Sequence, residues 1–474
     1  MFSFLGPLRQ FATAFFAAVT LLCCSEFLVA SAQLTNDQEA VQQEKSEPSS
    51  TVPPLSAPGM TVAEKDYDEE DEKKQINIEE LQRRIDVLAA TVEQLRNEEV
   101  STIELTDTDV RALGLSPAAA TTYGREQGVS IAGYGEMLYE NYGSKNEAGG
   151  LTHKGTQLDF LRAIIYAGYR FNDRFLFNSE IEIEHAKEVF VEFAYVDYLA
   201  HENFGIRGGM LLVPMGLVNE FHEPTVFLGA ERPVTEQRII PSTWRENGAG
   251  IYGSVDRVTF RAYIINGFNG SSFSSTGVRG GRQKGAKAKA GNMAFTGRLD
   301  ITPMPGVFVG AGLYSGGSGQ GDIAIDNQDY DVRTTIVDLH AQLQIRGFDL
   351  RGLYAHADLD DVVELNQVLG LEGSSGVAEQ MEGGYIQVGY NLLSQVAEAG
   401  GVGLTPYIRY EQVDTQATMP AGFERSASTN NTFITLGVDL KPIPNIVVKV
   451  DYAWVSNDAE SGINQFNVGL GYAF

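Results

Sequence analysis

QFNVGLGYAF, residues 465–474, closes the chain in strict alternation: Phe466, Val468, Leu470, Tyr472 and Phe474 fall on one face of an extended segment, Gln465, Asn467, Gly469 and Gly471 on the other. One face suits hydrocarbon and the other suits water. An edge strand of a soluble sandwich would alternate in the same way, so the reading turns on what the rest of the chain repeats.

The chain repeats this pattern. From Val129 onward, strand-like segments begin near residues 129 (ending around Tyr142), 156, 173, 188, 203, 248, 258, 292, 306, 332, 348, 379, 402, 430, 445 and 463. Most are about 10 to 14 residues long, the length a tilted membrane-crossing strand needs. Every second connection is tight: Phe171-Asn172-Asp173, His201-Glu202, Asp256-Arg257, Pro303-Met304-Pro305, Gly347 and Pro442-Ile443-Pro444, with Ser394–Gly400 longer. The others are mostly long, at 143–155, 214–247, 268–291, 315–331, 358–378 and 415–429. Short turns on one rim and long loops on the other define a closed meander with an even strand count. The expected fold is therefore all-β, a 16-stranded antiparallel transmembrane β-barrel over 129–474, wide enough for an aqueous lumen.

At the other end, Arg9, the apolar run Phe11–Cys24 and the small residues Ala30-Ser31-Ala32 read as a signal peptide over 1–32. Cys23 and Cys24 leave with it, so the mature chain needs no disulfide; a lipidated cysteine is the rival reading. Residues 33–75 are polar, with Pro53-Pro54 and acidic residues from Asp66 to Glu72 broken only by Tyr67, and read as a disordered acidic linker. Ile78, Leu81, Ile85, Leu88, Val92 and Leu95 then form an a/d seam within 76–100: a short periplasmic coiled coil, or a single amphipathic helix packed on the barrel. Residues 101–128 read as a connector.

With 43% hydrophobic residues, 51 Gly, 20 Tyr and 25 Phe, but no apolar run of helix-spanning length after residue 32, the chain hides its hydrophobicity by alternation. A net charge of -27 excludes a phosphate-backbone partner, so no nucleic acid is expected. Residues 1–128 hold 22 acidic and 10 basic residues, which puts much of the excess outside the barrel. The six histidines (153, 185, 201, 222, 340, 356) lack metal-ligand spacing, and HExxH and phosphate-binding glycine loops are absent. No metal, cofactor or enzymatic activity is expected.

Alternation also assigns facing. Glu180, Glu182 and Glu184 share a face opposite Phe175, Phe177, Ile181 and Ile183, and Asp338, His340, Gln342 and Gln344 oppose Val337, Leu339, Leu343 and Ile345. Charge on the lipid side near midplane costs about 2–4 kcal/mol for Lys or Arg, so these groups turn inward, as do Arg261, Arg298, Arg409, Glu411, Lys449 and Asp451. A conducting track and cross-strand ion pairs both fit this mixed-sign wall. The connection 214–247 mixes the anchors Phe221, Val226, Phe227, Leu228 and Trp244 with charges of both signs. Folded into the lumen, it would make Glu220, His222, Glu223, Glu231, Arg232, Glu236, Arg238 and Arg245 the constriction residues; an outer cap or oligomer latch is the alternative. The strongest basic cluster, Arg279, Arg282, Lys284, Lys287 and Lys289, lies in the loop 268–291. It could focus anions at the mouth or touch lipopolysaccharide phosphates.

"YGEMLYENY" opening the barrel region, "FNDRFLFNSEIEIEHA", "VPMGLVNEFHEPTVFLGAERPVTEQRIIPSTWRENGAGIYG" and the closing "GLGYAF" resemble the phosphate-selective porin O and P family over residues 129–474. The resemblance implies a trimeric diffusion channel in the outer membrane of a Gram-negative bacterium, with an inward-folded third loop. Phe474 resembles the terminal aromatic that the barrel assembly machinery reads. Family members that select phosphate carry a ladder of arginines and lysines, whereas here the inward basic residues are interleaved with acids. The expected function is passive passage of small hydrophilic solutes and ions, with anions such as phosphate one option and a general or cation-preferring pore another. A structural or adhesive barrel is the reading from another class, and flux through purified protein separates the two.

Overall fold

The structure is a computed structural model that describes Leu105, residues 107–396 and 401–474, and, of the preceding segment, residue 83 alone. The signal peptide, acidic linker and coiled-coil seam otherwise lie outside the described residues. Sixteen strands close into one barrel. In chain order they are β1 (Gly128–Tyr142), β2 (Gln157–Arg170), β3 (Phe175–Glu184), β4 (Glu188–His201), β5 (Phe204–Leu212), β6 (Arg245–Val255), β7 (Val258–Asn266) and β8 (Met293–Met304). There follow β9 (Val307–Gly317), β10 (Arg333–Ile345), β11 (Phe348–Leu359), β12 (Gln380–Tyr390), β13 (Gly403–Thr418), β14 (Asn430–Ile443), β15 (Ile446–Asn457) and β16 (Gln465–Ala473). Each pairs antiparallel with its chain neighbours. The ring closes where β16 meets β1, from Tyr134 opposite Ala473 to Tyr142 opposite Gln465.

The expected alternation is what the barrel uses. Outward residues such as Ile131, Ile165, Ile181, Val337, Leu436 and Leu470 are exposed and form an apolar belt, whereas inward Asn178, Glu180, Asp338, His340, Lys449 and Asp451 are buried. A continuous belt of exposed Ile, Leu, Val and Phe is untenable in water and natural in hydrocarbon, so the barrel spans a membrane.

Three departures concern the connections. The loop after β3 is only 185–187, so the long-loop rim has one tight turn. Strand β6 begins at Arg245 rather than near 248, which shortens the third long loop to 213–244. Most consequential, the segment expected to connect folds instead: α1 (Asp107–Leu113), α2 (Pro117–Ala120) and a 3-10 turn at Thr121–Gly124 pack against inward-facing wall residues. Leu115, Ala119, Ala120 and Tyr123 are almost fully buried there. The lumen is thus largely filled by polypeptide, where strand number alone suggested open water.

Ile165 lies near the middle of β2 on the belt, opposite Gly133 and Ile181. Ile165→Arg should lower stability in lipid bilayers by about 2–4 kcal/mol. Ser461→Arg, on an exposed loop, should leave it unchanged. Urea titration of the bilayer-refolded protein checks both.

Candidate functional site

Loop 213–244 enters the barrel because its neck is tied shut. Asn219 Nδ2 donates to the carbonyls of Val213 (2.7 Å) and Trp244 (3.0 Å), while Trp244 N–H donates to Asn219 Oδ1 (2.6 Å). The Trp244 indole, fully buried, stacks on Phe268 with centroids 4.5 Å apart and packs on Tyr314 at 4.8 Å. Inside the loop, the Glu236 carboxylate accepts the Leu217 and Val218 N–H groups, both at 2.7 Å, and the Tyr385 hydroxyl of β12 at 2.6 Å. Gly216 sits at φ 69° against this carboxylate, a conformation and a space that a side chain would lose.

From that neck the chain crosses the lumen, and inward charges of the far wall bond its main chain. Arg351 Nη2 donates to Val226 O (2.8 Å), Lys441 Nζ to Thr225 O (2.7 Å), and Lys449 Nζ to Phe227 O and Gly229 O (2.9 Å each). Arg409 Nη2 donates to Glu231 O (3.2 Å). Carboxylates take the N–H groups: Asp439 from Gly229 (3.4 Å), Asp451 from Ala230 (2.7 Å) and Glu411 from Thr235 (2.6 Å). Residues 225–235 are thereby laced to β11, β13, β14 and β15. They separate an inner cavity of about 270 Å³, bounded by Phe227, Phe308, Gln342, Asp349 and Arg351, from an outer cavity of about 400 Å³. Lys154, Glu231, Arg232, Arg238, Arg409 and Glu411 line the outer one.

On the near wall the loop meets the folded N-terminal segment. Glu220 pairs with Arg261 (3.1 Å) and Arg298 (3.7 Å), and Asp300 pairs with Arg298 (2.8 Å), Arg261 (3.1 Å) and His340 (2.7 Å). His340 also bonds Asp338 (2.5 Å), which accepts Gly216 N–H at 3.2 Å. Helix α1 ends on arginines: Arg207 Nη1 donates to Leu113 O at 2.8 Å and Arg261 to Arg111 O, supplying donors to carbonyls the helix leaves unpaired. The turn after α1 requires glycine, since Gly114 has φ 64° and an added Cβ would strike Glu220 and Arg261. Glu223 accepts the Ala118 (3.3 Å) and Ala119 (3.2 Å) N–H groups at the start of α2. Asp197, bound by Arg207 and Tyr252, also accepts the Tyr123 hydroxyl.

The expected residues divide accordingly. Glu220, His222, Glu223, Glu236 and Arg245 are buried anchors, Arg245 pairing with Glu192 at 2.7 Å, and only Glu231, Arg232 and Arg238 border open space. Glu180, Glu182, Arg261, Arg298, His340, Arg409, Glu411, Lys449 and Asp451 all point inward and are buried, while Glu184 is half-buried at a strand end. The mixed-sign wall therefore consists of ion pairs and main-chain clamps. Of the basic loop, Arg282 donates to Pro241 O (3.0 Å) and Thr243 O (2.6 Å), and Arg279 donates to Gln237 O (3.3 Å), fastening the third loop from above. Lys289 pairs with Asp322, and Lys284 and Lys287 are exposed. Sequence reasoning missed Asn219, Arg351, Tyr385, Asp439 and Lys441. Inward alternation on β11, β12 and β14 marks four of them, and nothing local marks Asn219.

A closed 16-stranded membrane barrel with a lumen-crossing third loop is the class that this fold and site define. The chain belongs to the same family as a protein of Aquifex aeolicus (strain VF5) described only as uncharacterized, to which it is 37% identical over 366 residues, 72% of this chain and 78% of that protein. No family profile matches it. Among solved structures it is similar to Salmonella typhi OmpF in complex with daunomycin (15% identity, 74% of this chain and 98% of that one, TM-score 0.49). It is also similar to the anion-selective porin of Comamonas acidovorans (14%, 74% and 100%, TM-score 0.46) and to OmpT of Vibrio cholerae (13%, 73% and 97%, TM-score 0.44). The fold rests on the strand register of the chain itself.

Two outcomes follow. Glu220→Gln removes one of two carboxylate partners of Arg261 and Arg298, Asp300 keeping both, and should cost about 1–3 kcal/mol in urea unfolding. Burial pushes the Glu223 carboxyl up to about 7, against the pull of the Ala118 and Ala119 N–H groups. A carboxyl raised on folding stabilises the protein fully below its unfolded value and loses that contribution as pH rises through about 7. Stability should therefore fall by roughly 3 kcal/mol between about pH 4 and 8, at 1.36 kcal/mol per unit. Glu223→Gln should flatten that slope in unfolding titrations across pH.

Proposed function

We propose that the chain is an outer-membrane porin, a passive channel for small hydrophilic solutes and ions, assembled as a homotrimer with its N-terminal segment in the periplasm. One observation carries the reading: the third loop crosses the lumen between two polar cavities, one toward each rim. A loop narrowing a water-accessible barrel sets pore radius and places fixed charge at the narrowest point. The barrel is a conduit with no catalytic role. Phe474, half of whose surface or more is exposed at the short-turn rim, is available to the barrel assembly machinery, and Lys284 and Lys287 to lipopolysaccharide phosphates.

The solutes favoured are anions, phosphate among them. Lys154, Arg232, Arg238 and Arg409 line the outer cavity. Of the acids there, Asp451 and Glu411 already accept N–H groups of the loop. Arg409 is buried, and its Nε and Nη1 have no hydrogen-bond partner among the described residues. Donors held without partners beside a polar cavity favour an oxyanion.

In planar bilayers under a salt gradient, the refolded mature protein should show ohmic steps in threes with an anion-side reversal potential. Phosphate should reduce the chloride current, and Arg409→Glu should move the reversal potential toward the cation side. Shortening residues 226–230 to two glycines should raise unit conductance. Cation-side selectivity in the unaltered protein would make it a general or cation-preferring porin. Absence of conductance would remove the channel reading in favour of a structural or adhesive barrel.

A further inference from the structure

Between the third loop and the barrel wall, three side chains from three elements converge: Glu180 of β3, Glu192 of β4 and His222 of the loop. One ligand atom of each lies within 4.8 Å of the other two, and all three residues are buried. His222 Nδ1 is 2.9 Å from Asn219 O. A carbonyl only accepts, so Nδ1 carries the proton of that bond, and Nε2 faces Glu180 Oε1 at 3.2 Å and Glu192 Oε2 at 3.8 Å. In the neutral ring, a lone pair is thus aimed at two carboxylates in a space closed to solvent.

Something positive belongs between them, and a proton does too little. An imidazolium would give its N–H to Glu180 Oε1, leaving Glu180 Oε2 and Glu192 Oε2, which have no hydrogen-bond partner among the described residues. Arg232 also acts on the His222 ring, with its Nη2 buried and without a hydrogen-bond partner among the described residues, but the other neighbouring cations are already placed. Arg245 and the Thr243 hydroxyl take Glu192 Oε1 at 2.7 and 3.1 Å, and Arg162 lies 3.4 Å from both Glu136 and Glu182. Glu182 stands beside Glu192 in a carboxyl–carboxyl hydrogen bond, whose shared proton a bound ion would displace. Tyr134 packs edge-on against the His222 ring at 6.0 Å and holds its plane.

We propose that Glu180, Glu192 and His222 bind a divalent transition-metal ion of the Zn²⁺ class, with Glu182 as the nearest additional carboxylate. Imidazole and carboxylate together suit such borderline ions. Two ligands each about 2.0–2.1 Å from a tetrahedral Zn²⁺ lie roughly 3.3 Å apart, close to the observed Nε2–Oε1 separation, and a small shift of Glu192 completes the set. The bond from the other ring nitrogen to a backbone carbonyl is the support a ligating histidine ordinarily has. Because Asn219 also ties the loop neck, the ion would fasten the third loop to β3 and β4. The site does not depend on the channel reading, since its evidence is coordination geometry alone.

The test uses the full mature chain without a histidine tag, refolded into detergent with Zn²⁺ or with a chelator, then passed through a sizing column. Elemental analysis should find about one retained ion per chain, and the Zn²⁺-refolded protein should unfold at higher urea. His222→Gln and Glu180→Gln should each weaken retention tenfold or more, whereas His153→Gln, on an exposed loop, should not. Glu180→Gln is near-isosteric, and heat-modified migration on gels reports that each variant has folded. Co²⁺ refolded in place of Zn²⁺ should give the visible bands of a low-coordinate site, lost in His222→Gln. No ion retained by the folded protein, or equal retention by folded His222→Gln, would overturn the proposal.

Discussion

A charge facing inward in a membrane barrel must be solvated by water or by polypeptide, and in this protein polypeptide does most of it. Lys441, Lys449, Arg351 and Arg409 hold carbonyls of the third loop, while Asp439, Asp451 and Glu411 hold its N–H groups. Opposite them, Arg207 and Arg261 hold the carbonyls of the folded N-terminal segment. Buried main-chain polar groups left unpaired cost about 1–3 kcal/mol each, as do the side chains that face them. Wall and filling therefore satisfy one another, and neither is stable in this arrangement alone.

That reciprocity shapes what remains open. Residues 225–231 of the loop are clamped across the lumen to β11 and β13–β15, and a cavity survives on either side of them. Arginine suits the clamping role because its fork can bond a carbonyl and a carboxylate at once, as Arg207 does with Leu113 O and Asp197. Among the charges lining the outer cavity, Asp451 and Glu411 are bound to N–H groups of the loop, whereas Arg409 keeps two donors unused.

Much of this was legible residue by residue. Alternation placed Glu180, Glu182, Arg261, Asp338, His340, Lys449 and Asp451 inward because a two-residue period leaves no third option. The mixture of charges and apolar anchors distinguishes the connection after β5 from the other loops, and Phe227 and Trp244 are buried as anchors. The stretch Leu113–Tyr123 reads as part of a connector because its apolar residues, Leu113, Leu115, Ala118, Ala119, Ala120 and Tyr123, are too few and too irregularly spaced to announce a folded element. Its helices are one and two turns long and owe their existence to Arg207, Arg261 and Glu223 rather than to propensity.

By itself the sequence determined the barrel: strand number, the two rims and the facing of each wall residue all follow from local period and turn chemistry, which act over a few residues. Only the tertiary structure decided what those inward residues do. Glu220 could have lined water or paired with arginine, and His222 could have faced a solute or two glutamates from distant strands. Such choices depend on which strand ends lie opposite one another across a closed ring and on how far a loop of 32 residues reaches inside it. Those are long-range distances, and no local pattern encodes them.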